Sequence, residues 1–262
     1  MEKENRNLIV NGKRLEVVWH GPLPEEAPTI VFLHEGLGCV AMWRDFPARL
    51  AAATSCSALV YSRSGYGRSD PCSLPRSIHF MHEEGQETLP ELLKQAGVQK
   101  CILIGHSDGG SIAIIYAGSV TAIPLLGLVT ESAHVFCEEK TVHSIRKAKE
   151  MFKKGDLCQK LKKYHEDNID CAFWGWNDVW LQPDFKNWNI EEYVPKIKVP
   201  MLVIQGENDE YGTFSQVDSI ARLAGAKAEI LMVSDCGHNP HQEQEVAVFQ
   251  AMKDFIFRLK NR

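Results

Sequence analysis

The chain has 262 residues, 44% of them hydrophobic and 24% charged, which is ordinary for a globular protein with one sizeable core and an insertion. A formal net charge of −5 argues against nucleic acid or an anionic membrane surface as the main partner. No apolar run approaches the ~18 residues that a membrane-spanning helix needs.

The opening MEKENRNLIV is charged and lacks an apolar core, so no signal peptide is expected. Residues 8–10, Asn11-Gly12 and residues 14–19 read as a hairpin closed by a type I′ turn. Residues 29–34 form a short apolar run with the character of a buried strand, ending in the loop Glu35-Gly36-Leu37-Gly38. Residues 42–53, rich in alanine and leucine, predict a helix, and residues 57–62 another strand. A turn-rich loop follows at residues 65–71. Residues 77–96 contain a helix that stops at Gly97, a good C-terminal cap. Residues 101–104 and 125–130 are further strands.

Strand signals vanish between residues 133 and 194, where 143–152 and 157–167 look helical and 171–181 is dense in aromatics. Strands resume at 200–205 and 228–233, and a helix over 244–259 closes the chain. Alternating strands and helices call for a parallel sheet covered on both faces. The organisation expected is a core of residues 1–132 and 195–262, with 133–194 inserted as a helical lid over the carboxyl edge of the sheet. The eight cysteines (39, 56, 72, 101, 137, 158, 171, 236) include no C-x-x-C pair, and several fall inside predicted elements, as buried free thiols do. A reducing cytoplasm is the expected setting.

Function points to residues 105–110, Gly-His-Ser-Asp-Gly-Gly, lying between the strand at 101–104 and the helical stretch 111–117. A strand reversing this tightly into a helix strains the central residue, and glycines two before and two after it let neighbouring backbone approach. Ser107 is thereby pushed out at the carboxyl end of the sheet. The amides of Asp108 and its successors point the same way from a helix N-terminus, which favours negative charge. This is the G-x-S-x-G nucleophile elbow in its strand–turn–helix context.

A serine hydroxyl needs a base to take its proton, and the base needs an acid to hold its tautomer. The acid should end a late strand: Asp209, in Gln205-Gly206-Glu207-Asn208-Asp209, does so, with Glu207 and Glu210 as alternatives. The base should follow the last strand, where His238 stands behind Gly237; His241 is better placed to cap or line the last helix. His106 beside the elbow reads as a packed residue. His79 and His82 have no apparent third and fourth partner, so no metal is expected. The tryptophans at 174, 176, 180 and 188 read mostly as core, with one or two facing substrate.

With LH-x-G-x-G after an early strand, YGRSDP, GHSDGG, GENDEYG and CGHNPHQE in this order, the chain resembles the α/β-hydrolase superfamily over essentially its whole length. The resemblance implies a mostly parallel eight-stranded sheet with an inserted helical cap, Ser107 as nucleophile, Asp209 as acid and His238 as base. It also implies an oxyanion hole made by the Asp108 amide and one amide from the loop after the early strand. Relatives usually read His-Gly-x there, whereas Glu35 follows His34 here. Counting without a gap, the Gly36 amide takes the donor position, with Leu37 as the alternative. Glu35 is either a solvated loop residue or a carboxylate near the site. The implied activity is cleavage of a small carboxylic ester through an acyl-enzyme, without cofactor. Serine at 107, where dehalogenase and epoxide-hydrolase relatives carry aspartate, argues against those activities. The same groups could open a lactone, an amide or the carbon–carbon bond of a vinylogous diketone, and the fold could also serve a receptor that turns over negligibly. Asp108 has two readings, a complement to the helix dipole or a partner for a substrate ammonium group.

Overall fold

A computed structural model describes residues 4–119 and 121–260; the first three residues of the charged opening lie outside it. Eight strands make one sheet: β1 Glu4–Val10, β2 Lys13–His20, β3 Thr29–Leu33, β4 Ser57–Tyr61, β5 Cys101–His106, β6 Leu125–Glu131, β7 Met201–Gly206 and β8 Ala228–Val233. Their order across the sheet is β1-β2-β4-β3-β5-β6-β7-β8. The two pairs made by β2 are antiparallel and all others parallel. At the hairpin, Asn11 and Gly12 both have positive φ (50° and 77°), as a type I′ turn requires.

The helices are α1 Phe46–Thr54, α2 Phe80–Glu83, α3 Leu89–Gln95, α4 Asp108–Ala117, α5 Glu139–Lys154, α6 Leu157–His165, α7 Ile169–Trp180, α8 Phe214–Ala224, α9 Pro240–Glu243 and α10 Glu245–Lys260. Side chains alternate along each strand, so the sheet feeds two cores. Ile30, Phe32, Ile102 and Ile104 face α1 and α10, packing with Phe46, Leu50, Met252 and Phe255. Val31, Leu33 and Leu103 face the other way, onto Leu89, Ile112, Ile115 and Val217 from α3, α4 and α8. Each such apolar side chain removed from water contributes about 1.5–3 kcal/mol before entropy is counted.

The helix expected over 42–53 is split. Val40–Trp43 winds as a tight 3-10 turn, Arg44 takes a positive φ of 54°, and α1 starts only at Phe46. Pro47 explains the start, because a proline is accommodated in a first turn, where its missing N–H has no partner to lose. The helix expected over 77–96 runs from Phe80 to Gln95 but widens into a π-helical turn at Glu84–Thr88. Gly85 in that turn lies so close to α4 that an added β-carbon would stand 3.0 Å from the Ile112 carbonyl oxygen. Helix α8 was not anticipated, although Thr213 caps it by accepting from the Ser215 N–H and Gly225 follows its end.

Residues 133–194 hold α5, α6 and α7, with a short 3-10 turn between α6 and α7 and two more after α7, and a buried aromatic group of Phe173, Trp180, Phe185 and Trp188. Two groups of their hydrogen bonds to the rest of the chain bear on the loops around the elbow. On one side the Glu138 carboxylate accepts the Thr213 N–H at 2.9 Å, and the Thr141 and Ser144 hydroxyls donate to the Tyr211 and Glu210 carbonyls, each at 2.6 Å. On the other, His165 Nε2–H donates to the Leu37 carbonyl (2.8 Å) while Nδ1 accepts the Gly67 N–H (3.1 Å). Asn168 adds two bonds, to the carbonyls of Gly67 (3.1 Å) and Ser69 (2.6 Å).

Candidate active site

Ser107 joins β5 to α4 at φ 51° and ψ −118°, a conformation worth about 1–3 kcal/mol of strain for a residue with a side chain. The Ser107 N–H, donating to the Glu131 carbonyl at 2.8 Å, ties the turn to the neighbouring strand β6. Gly109 makes the turn feasible, because a β-carbon there would overlap the Leu33 carbonyl, which cannot retreat without moving β3.

The three residues expected to act together are brought together. His238 Nδ1–H donates to Asp209 Oδ1 at 2.8 Å, which fixes the tautomer, and Nε2 stands 3.0 Å from Ser107 Oγ. Asp209 also accepts the amides of Tyr211 (2.8 Å) and Gly212 (3.1 Å). Burial alone would raise the Asp209 carboxyl; the His238 contact and these amides outweigh it and hold it well below the usual carboxylate range. Burial alone would lower His238, but Asp209 reverses the direction and raises it above 6.5. The alternatives do not take these places: Glu207 and Glu210 are exposed, Glu210 at the cavity rim, while His241 donates from Nδ1 to Glu131 at 2.9 Å. His106 is buried and donates from Nε2 to the His238 carbonyl (2.7 Å), which supports the loop carrying His238.

Ser107 opens onto a cavity of about 240 Å³. Its floor includes Gly36, Leu37 and Asp108, and its walls come from Thr141, Ile145, Leu161, Trp176 and Trp180 of residues 133–194, with Tyr211 and His238 opposite. Of the four tryptophans, 176 and 180 thus reach the cavity, Trp188 packs against Phe185, and Trp174 lies half-buried under Lys149 and Lys153. The loop after β3 is held by Arg63, whose N–H donates to His34 Nε2 at 3.1 Å and whose guanidinium binds the carbonyls of His34 and Glu35. The Glu35 carboxylate turns back onto the Leu37 N–H, occupying that amide.

Arg63 and His134 were missed in the sequence. Arg63 lies just past the end of β4, and His134, three residues past β6, lines the cavity with its carbonyl held by the Ser111 hydroxyl at 2.6 Å. Burial lowers the His134 imidazole to about 4, which keeps it neutral beside His238. A position just past a parallel strand's carboxyl end was the available signal. His79 and His82 stack edge to face at 6.1 Å, and among the described residues no group of three or more His, Cys, Asp or Glu side chains could hold a metal ion.

A family model described as "Alpha/beta hydrolase family" matches residues 30–251. The chain belongs to the alpha/beta hydrolase family. Among curated relatives, RutD of Stutzerimonas stutzeri is 38% identical over 98 residues, covering 36% of this chain and 34% of that protein. The alpha/beta hydrolase domain-containing protein aho-3 of Caenorhabditis elegans is 25% identical over 90% of this chain and 59% of its own length. A proline iminopeptidase of Saccharolobus solfataricus is 27% identical over 76% of this chain and 75% of its own. The alignments thus span about a third to three fifths of the first two relatives. Among solved structures, a membrane phospholipase A superposes with a TM-score of 0.79 at 19% identity, covering 99% of this chain and 87% of that one. The esterase of Thermogutta terrifontis gives 0.74 at 17% (98% and 99% covered), and the enol-lactonase of Burkholderia xenovorans 0.75 at 19% (96% and 99%). At these identities the superpositions show the fold. Among the described residues no helix is long and apolar enough to cross a membrane.

Proposed function

We propose that the protein is a serine hydrolase that cleaves a small carboxylic ester through an acyl-enzyme. The observation that carries this reading is the continuous chain from Asp209 Oδ1 through His238 to Ser107 Oγ, at 2.8 and 3.0 Å, facing a cavity. His238 Nε2 takes the Ser107 proton as Oγ attacks the ester carbonyl, and Asp209 stabilises the imidazolium that forms. The imidazolium then protonates the departing alkoxide. A water deprotonated by the same nitrogen attacks the acyl-enzyme, and release of the carboxylic acid restores Ser107.

The oxyanion falls to the backbone amides of Asp108 and Gly36, each donor contributing on the order of 10²–10³ in rate. Gly36 is favoured over Leu37 because the Leu37 amide is already taken by Glu35. Residues 133–194 serve as a cap whose Trp176 and Trp180 shape the acyl pocket. A cavity of about 240 Å³ supports a small substrate. The eight cysteines, all free, support a reducing cytoplasmic setting.

The test is multiple turnover of p-nitrophenyl acetate with a stoichiometric burst, together with labelling of Ser107 by a fluorophosphonate. Label at Ser107 without turnover would indicate a receptor that retains the constellation, and absence of both would remove the nucleophile assignment.

A further inference from the structure

Asp108 is the first residue of α4, where an acid ordinarily complements the helix dipole from solvent. This one does not behave that way. It is fully buried, and among the described residues its side chain makes no hydrogen bond to its own helix. Oδ1 accepts the Trp180 indole N–H at 3.2 Å, while Oδ2, equally buried, has no partner among the described residues. Asp108 is among the residues around the cavity beside Ser107, with its carboxyl buried just behind that surface. Arg63 and Arg76 lie near enough to favour its charged form, but their hydrogen bonds go elsewhere: Arg63 to the carbonyls of His34 and Glu35, Arg76 to the Ser64 carbonyl and Cys72 Sγ. A buried acceptor left unpaired is costly, more so when charged, so Oδ2 is suited to a donor that arrives with substrate.

A second carboxylate reaches the cavity from the opposite loop. Glu35 is half-buried there, and Glu210 adds a third acid at the exposed rim. Among the described residues no lysine or arginine lines the cavity, and the rings of Trp176 and Trp180 offer π-faces that attract cations. Two anionic groups beside a developing oxyanion oppose catalysis unless a positive charge intervenes.

Resting on the serine-hydrolase reading above, we infer that the cavity selects substrates with an ammonium group near the scissile carbonyl, α-amino acyl esters, held by Asp108 Oδ2 with Glu35 as the second carboxylate. Because Asp108 adjoins the nucleophile, the amine must sit within a few bonds of the attacked carbon. An α-amine satisfies this.

The experiment compares alanine benzyl ester with its desamino analogue, benzyl propionate. Wild type should prefer the amino ester by at least tenfold in kcat/KM, and Asp108→Asn should reduce that preference at least tenfold; Glu35→Gln should reduce it by at least threefold and carries the comparison if Asp108→Asn does not fold. A preference unchanged within twofold in both variants overturns the inference, as does a wild type that prefers the propionate. Calorimetric binding to Ser107→Ala separates the two readings. There alanine benzylamide should bind at least tenfold tighter than N-benzylpropanamide, and adding Asp108→Asn should abolish the difference. Absence of turnover with that binding difference intact removes the hydrolase reading alone; equal binding of the two amides removes amine recognition.

Discussion

The Trp180 indole N–H donates to Asp108 Oδ1 across 3.2 Å, so a residue at the end of α7 reaches the side chain next to Ser107. Among the described residues it supplies the one side-chain hydrogen bond to a carboxyl that is otherwise fully buried. Trp180→Phe keeps the ring and removes the donor. The expected cost is about 1–3 kcal/mol, larger at pH 8 than at pH 4, because only the ionised carboxylate depends fully on the bond. Urea unfolding at the two pH values checks it, and equal losses would assign the effect to packing.

Burial pushes the Asp108 carboxyl up from 3.8 to about 6. The folded state therefore holds this proton more tightly than the unfolded chain does. Below 3.8 both are protonated and there is no effect; stability falls as pH rises between 3.8 and about 6, by up to about 3 kcal/mol from this group. Glu35 and Glu84, also raised by burial, act in the same direction. Asp108→Asn should accordingly raise the melting temperature at pH 8 and leave it nearly unchanged at pH 4. A melting temperature lowered at pH 8 would mean that Arg63 and Arg76 stabilise the carboxylate more than burial penalises it.

Because Asp209 raises His238 above 6.5, kcat/KM for a neutral ester should climb with pH through a midpoint above that value, where the imidazole becomes neutral. Asp209→Asn removes the cause, so any residual activity should titrate at lower pH, with kcat reduced by ~10⁴. Ser107→Ala and His238→Ala should each cost about as much as the two together. Additive losses would separate them into independent roles.

Two glycines near the site differ in what a methyl group would meet. At Gly109 the obstacle is the Leu33 carbonyl, part of β3, and Gly109→Ala should fail to accumulate as folded protein. At Gly36 it is the Trp176 indole, a side chain that can give way. Gly36→Ala should fold but lose at least tenfold in kcat, and Trp176→Leu in the same chain should restore part of that loss. A double variant no better than Gly36→Ala would place the damage in the loop backbone.

The sheet and its elbow were legible because β3, β4 and β5 are apolar on both faces and therefore read as continuous runs. Ser107, Asp209 and His238 were legible for a related reason: each follows the carboxyl end of a strand, where parallel sheets gather their loops. What stayed hidden depends on contacts made across the chain. Nothing near Asp108 in sequence announces Trp180, 72 residues away, and nothing near His34 announces that Arg63 holds its carbonyl. The split at Arg44 and the wide turn at Glu84–Thr88 escaped because composition reports helix formation and not where the ladder of hydrogen bonds changes step.

The fastening of residues 133–194 by His165 and Asn168 has a kinetic consequence. Four hydrogen bonds, all involving buried side chains, clamp that end to Leu37, Gly67 and Ser69. A segment so clamped is expected to stay in place at an oil–water boundary, leaving no closed form for an emulsion to open. On the proposed esterase reading, substrate is then expected to enter singly, and the rate to saturate smoothly with dissolved ester. Raising tributyrin through its solubility limit checks this, and a jump in rate on emulsification would show that the clamp releases.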